Sequence, residues 1–145
     1  MPQAGEIYSP SDIPRRVGVT LGTADLSATS GTTEKTVDAT TVSVVSGKTY
    51  SVRYLFHYTG TVSADAFLMR IRQGGLAGVQ LSYAMADVTI TAGGALTGYV
   101  EVDWVASTTG SQTFTTTVQR AAGSGTLTVK GAVSQPRKLE VRFEE

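Results

Sequence analysis

Glu101 and Asp103 stand two apart in the stretch YVEVDWV. On an extended chain their carboxylates therefore point to the same side, as paired-acid hydrolysis or a hard-cation site requires. The competing reading is a cross-strand ladder of opposite charges with Arg70 and Arg72, or with Arg53. The ladder is the better reading. A glycosidase needs an aromatic-lined cleft and one acid of raised pKa, a calcium loop needs Asp, Asn and Gly clustered in a turn, and the sequence offers neither. His57 is the only histidine and there is no cysteine, so a zinc site has no ligand set. A serine triad built on His57 would need a nucleophile elbow, and no G-x-S-x-G is present. His57 is expected in mid-strand, close to a subunit contact.

The glycine pairs Gly74–Gly75 and Gly93–Gly94 could suggest a phosphate cradle, but no helix follows either of them to aim amide donors. Turn formation accounts for both. Arg15 with Arg16, and Arg137 with Lys138, are pairs too small to hold nucleic acid through phosphate contacts. They read as salt-bridge partners for a neighbouring subunit. The chain is expected to be no enzyme, with no catalytic, cofactor-binding or metal-ligating residue and no cofactor.

The elements around these residues are strands. In KTYSVRYLFHY, Tyr50, Val52, Tyr54, Phe56 and Tyr58 fall on one face and Ser51, Arg53, Leu55 and His57 on the other, the period of two that a pleated strand imposes. ADAFLMRIRQ sorts Phe67, Met69 and Ile71 against Leu68, Arg70 and Arg72. Val79, Leu81, Tyr83 and Met85 alternate, Val100, Val102 and Trp104 share a face, and so do Phe114, Thr116 and Val118. The first firm strand is expected near Glu34, with Val37 and Ala39 in phase and Val42 and Val44 following. Thr126 to Val133 reads as a short strand, and Leu139, Val141 and Phe143 form the last. No stretch shows helical apolar spacing, and the abundance of threonine and valine suits a pleated surface. The spacing predicts an all-β chain: a single jelly-roll-like antiparallel β-sandwich of about eight strands with an extended N-terminal arm.

The arm is residues 1–22 and the sandwich domain 23–145. Pro2, Pro10 and Pro14 fix φ and withhold backbone donors, which argues against a regular element there. Ile7, Tyr8, Ile13, Arg15 and Arg16 are the residues expected to dock the arm on a partner.

At 145 residues and 41% hydrophobic, one domain can bury its own core. Twelve basic residues balance twelve acidic ones, so no net field recruits nucleic acid or an anionic membrane. The absence of cysteine excludes a disulfide framework and a thiol nucleophile. The N-terminus lacks the apolar run of a signal peptide and no stretch reaches a membrane span, so synthesis in the cytoplasm without a signal peptide is expected. The two strands around Leu55 and Leu68 carry large apolar residues on both faces. A second apolar face including Leu55, His57 and Leu68 is therefore expected to be covered by another subunit, making a homo-oligomer.

Three segments, IYSPSDIPRRVG, SGKTYSVRYLFHYTG with AFLMRIRQ, and GSGTLTVKGAVSQPRKLEVRF, resemble the small all-β virion structural proteins of tailed phages of actinobacteria. The P-R-x-L-x-V ending of that family is matched by Pro136, Arg137, Leu139 and Val141. The resemblance implies a component of the virion particle surface, commonly a minor tail protein, with a capsid decoration protein as the alternative. By analogy it favours a trimer whose partners are tail or major capsid proteins. With the arm and the second apolar face bound to the particle, the loops carrying Gly74, Gly75, Gly93 and Gly94 are expected to face outward. A carbohydrate-binding or receptor-binding module is the third reading. Its ligand would be a host-surface glycan, stacked on Tyr83, Tyr99 or Trp104.

Overall fold

The computed structural model describes residues 15–26, 29–88 and 95–144. Nine strands run β1 (Arg15–Gly22), β2 (Lys35–Val44), β3 (Thr49–Gly60), β4 (Ala66–Gln73), β5 (Val79–Asp87), β6 (Leu96–Val105), β7 (Gly110–Ala122), β8 (Leu127–Lys130) and β9 (Arg137–Glu144). Among the described residues no helix is long and apolar enough to cross a membrane.

One sheet has the order β1-β9-β3-β6, with β8 pairing the far end of β3, and the other has the order β2-β7-β4-β5. The antiparallel pairs β4–β5, β3–β6, β2–β7 and β1–β9 are successive rungs of one long hairpin. Winding that hairpin so that alternate rungs fall in opposite layers produces the jelly roll. Nine strands stand where the turn spacing predicts about eight, and the strand not expected is β1.

The periodicity of β3 survives intact. Tyr50, Val52, Tyr54, Phe56 and Tyr58 are all buried, with the rings of Tyr54 and Phe56 stacked at 5.5 Å and those of Phe56 and Tyr58 at 5.7 Å. Phe67, Met69 and Ile71 from β4, Phe114 and Val118 from β7, and Leu139 and Val141 from β9 fill the space between the layers. Each such side chain fully withdrawn from water contributes about 1.5–3 kcal/mol. Trp104 belongs to this core, its ring edge-on to Phe114 at 5.2 Å and its indole N–H donating to Gln73 Oε1 at 3.2 Å.

Besides a register shift between Ala66 and Phe67 in the β4–β7 pair, three bulges depart from the simple alternation. A shift in β2 between Thr36 and Ala39 turns Ala39 outward and Asp38 into the interior, in phase with Thr40, Val42 and Val44. Val37 and Ala39 therefore do not share a face. A shift between Ile71 and Arg72 breaks the run Val79, Leu81, Tyr83, Met85: Tyr83 and Met85 pair with Arg70 and Leu68 on the outer face, whereas Leu81 packs against the core. The third bulge, at Arg16/Gly18, lies in β1.

The existence of β1 corrects the expected boundary at residue 22. Residues 15–22 are a regular strand, paired over most of their length with β9, so they belong to the sandwich, which begins by Arg15. After Pro14 nothing withholds backbone donors, and the partner that completes the pairing comes from the other end of the chain. Ile7, Tyr8 and Ile13 lie outside the described residues.

Candidate functional site

The β2 bulge sends a carboxylate into an apolar interlayer, and a buried charge must be met there. Arg137 at the start of β9 meets it: its Nε donates to Asp38 Oδ2 at 2.9 Å and its Nη2 to Oδ1 at 3.2 Å. The Tyr54 hydroxyl donates to Oδ2 at 2.6 Å. Asp38, Arg137 and Tyr54 are all buried, so the group pins β2, β9 and β3 across the two layers. Burial and the adjacent Asp38 charge raise the Tyr54 phenol well above its ordinary value, so it stays a donor. Gly22 has no side chain because one cannot fit: a Cβ there would lie 2.2 Å from Arg137 Nη2.

The remaining guanidinium nitrogen faces outward. Arg137 Nη1 donates to the carbonyls of Ala24 at 2.6 Å and Lys130 at 3.2 Å, which places the next residue of one segment, Asp25, against Lys130 of the other. Asp25 accepts from Lys130 Nζ and from the Gly131 amide at 3.0 Å. Both hydrogen bonds hold its carboxyl below the usual carboxylate range. Beside this pair lies a cleft of about 360 Å³ lined by Asp25, His57, Ala95, Lys130, Gly131, Ala132 and Gln135. His57, opposite Lys130 in the β3–β8 register, is buried with Nδ1 3.0 Å from Thr97 Oγ1, and it forms one wall.

From this cleft the outer face of the first sheet runs back along β3. Arg53 lies between Glu101 of β6 and Glu140 of β9. Its Nε donates to Glu101 Oε1 at 3.1 Å and to Ser51 Oγ at 2.9 Å, and Tyr99 OH donates to Glu101 Oε2 at 2.6 Å. The Tyr99 bond, with Ser51 and Arg53 adding to it, holds Glu101 below its ordinary pKa. That is the wrong direction for a general acid. Partial burial and the same bond push the Tyr99 phenol up to about 12. The Arg53 ladder is thus present, with Asp103 opposite Ser51. Arg70 and Arg72 are not part of it. They sit on the other sheet, where Arg72 grips Glu34 through two bonds of 2.7 Å.

Glu140 is 2% exposed and is met by Arg16 at 2.5 Å, Arg142 at 3.3 Å and Lys138 at 3.6 Å. Arg16, Arg137 and Lys138 therefore find their partners within the chain rather than on a neighbouring subunit, because β1 joins the sheet beside β9. Ser51 and His57 are likewise covered by the chain's own side chains. The outer face of β3 needs no second subunit to bury them.

Leu55, His57 and Leu68 do not form one face. Leu55 and His57 lie outside the first sheet and Leu68 outside the second, next to Tyr83 and Met85, so the two groups are on opposite sides of the sandwich. Arg15 and Arg16 line a groove of about 380 Å³ with Val17, Val45, Lys48, Tyr50 and Phe143, and Lys48 Nζ lies 5.9 Å from the Phe143 ring centre. Tyr50 in this groove and His57 in the cleft are seven residues apart on β3, about 23 Å at the rise of a strand. The two cavities occupy opposite ends of the molecule. The Gly74–Gly75 turn adjoins Thr113 near the groove, whereas antiparallel pairing puts the start of β6 at the cleft end. Gly93 and Gly94 themselves lie outside the described residues.

Sequence reasoning passed over Asp38, Asp25 and Gln135 as site residues and gave Arg137 to a neighbouring subunit. Asp38 did carry a signal, since it is in phase with Val42 and Val44. Among the described residues no group of three acidic or histidine side chains could hold a metal ion.

No protein-family model matches the chain, and no curated protein matches it significantly. Solved structures match by fold. Eiger TNF from S. frugiperda superposes with a TM-score of 0.54 at 9% identity, over 91% of this chain and 93% of that one. T=1 particles derived from infectious bursal virus give 0.55 at 12% identity, over 92% of this chain and 36% of that one. A family 35 carbohydrate binding module from Clostridium thermocellum overlaps 85% of this chain and 96% of its own at 14% identity, with a TM-score of 0.41. The chain spans little more than a third of the virus-particle chains it matches. At these identities the shared property is the jelly-roll fold.

Proposed function

We propose that the chain is a structural protein of a virion surface, of the minor tail kind in tailed phages of actinobacteria, acting by lateral self-association and by docking to neighbouring virion proteins. The observation that carries this reading is the placement of its exposed apolar side chains. Of the twelve large hydrophobic residues exposed among the described ones, three (Val17, Val19, Leu21) are on β1 and three (Val79, Tyr83, Met85) on β5. Both are edge strands. A protein that works alone blunts such edges with charge, proline or a covering loop. Here they carry half of the exposed greasy surface.

The two edges also lie on opposite flanks. β1 is fastened to β2 by Thr20 Oγ1 donating to the Ala39 carbonyl at 2.7 Å, and β6 and β5 border the other flank. Joining the β1 flank of one copy to the β5 flank of the next is a head-to-tail contact, which closes into a ring when the rotation permits, as a trimer would. Leu68, paired with Met85, falls on the β5 flank, Arg15 and Arg16 stand at the start of β1 and line the groove, and docking to a neighbouring protein falls to residues 1–14 in this reading. The fold supports a particle role, since a jelly roll of the same kind belongs to a chain that forms T=1 particles.

Mass measurement by light scattering, together with gold-labelled antibody on purified virions, tests the reading. A closed homo-oligomer and a label on the particle, at the tail for the minor tail reading or the head for a decoration protein, are expected. A strict monomer at high concentration with no label on any particle refutes it.

A further inference from the structure

We propose that the cleft at the far end of β3 is a binding site for a neutral saccharide, with one sugar unit held among Asp25, His57, Lys130 and Gln135 and the next resting on Tyr99. The volume of about 360 Å³ is that of a small-ligand pocket. Its polar groups are of mixed kind. Asp25 accepts, Lys130 donates, and the Gln135 amide does both, matching hydroxyl groups that are each donor and acceptor.

These groups also retain capacity. Each Asp25 oxygen spends one bond inside the protein, and Lys130 keeps ammonium protons beyond the one given to Asp25. Thr97 holds Nδ1 of His57, which fixes the ring as one wall of the cleft. The charges select against ions. Asp25 and Lys130 are paired and cancel, so an anion meets the carboxylate and a cation meets the ammonium at the same spot.

The apolar half of the site is next door. On the outer face Tyr99 is directly opposite Leu55 and two residues from Thr97, about 7 Å along the strand. Its ring is 50% exposed, and the hydroxyl is tied down to Glu101 at 2.6 Å. A tethered aromatic ring is a platform for the C–H face of a sugar at little entropic cost. The backbone of the cleft is rigid where it counts: Ala132 and Gln135 exchange two main-chain bonds, and Arg137 fixes Ala24 and Lys130 from below. The site lies at the opposite end from the groove of Arg15 and Arg16, and none of the residues lining that groove takes part in it.

The full chain, applied to a printed array of neutral oligosaccharides of hexose and N-acetylhexosamine with sialylated and sulfated glycans beside them, tests this. Binding to a neutral set is expected. The strongest neutral binder is then titrated into 15N-labelled protein, with shifts expected at the Gly131, Ala132 and Gln135 amides. Tyr99→Ala and Gln135→Ala, both at exposed positions, are each expected to weaken binding at least about tenfold with an unchanged melting point, and Leu76→Ala, exposed on the turn at the other end, to leave it unaltered. Silence across the array, a preference for the acidic glycans, or wild-type affinity in both variants overturns the proposal. Particle labelling with the Tyr99→Ala chain is read separately, so loss of the sugar site and loss of the assembly role are distinguishable.

Discussion

Replacing Asp38 with leucine removes the only carboxylate among the described residues that touches the Arg137 guanidinium, which is 3% exposed. Breaking a buried pair from one side costs about 3–5 kcal/mol, because the surviving charge stays desolvated. Arg137→Met, cutting from the other side, leaves Asp38 with only the Tyr54 hydroxyl and the same range applies. Removing the whole group behaves differently. In a triple variant, Asp38→Leu with Tyr54→Phe and Arg137→Met, no charge remains, and the residual loss comes from the Ala24 and Lys130 carbonyls that Arg137 served. At about 1 kcal/mol for each lost bond the triple variant loses about 2 kcal/mol, less than either single one. Urea denaturation followed by the fluorescence of Trp104, the one tryptophan, measures all three on a common scale. For a chain of this size the single variants should melt roughly 6–20 °C lower. If either single variant costs less than about 1 kcal/mol, or the triple costs more than the two singles summed, the interlayer pin is not acting as a coupled charge group.

Acid lability follows from Glu34 and Glu140. Hydrogen bonds from Arg72 lower the Glu34 pKa, and at Glu140 burial raises the pKa but bonds from Arg16 and Arg142 outweigh it. Both carboxyls bind protons less readily folded than unfolded, so their stabilisation is complete above the ordinary value of 4.5 and drains as pH falls below it; melting points scanned downward from neutrality should be flat and then decline. Tyr83→Asp combined with Leu68→Glu puts charge on the β5 flank and should convert the oligomer to monomer by light scattering, with circular dichroism unchanged. Gly98→Ala would set a Cβ 2.2 Å from the Phe56 ring and should cost about 1–3 kcal/mol in urea denaturation. Removing residues 1–14, and stopping short of β1, should leave a folded domain that no longer joins the particle; normal incorporation would refute the docking role of Ile7, Tyr8 and Ile13.

Period-two alternation is local information, and it settled a good deal unaided. The aromatic face of β3, the core faces of β4 and β6, the membership of Trp104 in the core, and an all-β sandwich of about eight strands are all written in neighbouring residues. So was the ladder of Glu101 with Arg53, once both were on outward faces. Bulges and long-range pairing are another matter. A bulge shifts phase by one residue, which separated Val37 from Ala39 and removed Val79 from the face of Tyr83, and neither shift has a distinctive residue to announce it. β1 exists because β9 lies beside it, a contact between segments more than 100 residues apart. The same distance decided the sites: whether Arg16 and Arg137 served a neighbour or their own chain, whether Leu55 and Leu68 shared a face, and whether Asp25, His57, Lys130 and Gln135 met at all depended on which strand winds into which layer. Side-chain chemistry is a property of residues, but proximity between distant residues belongs to the wound hairpin.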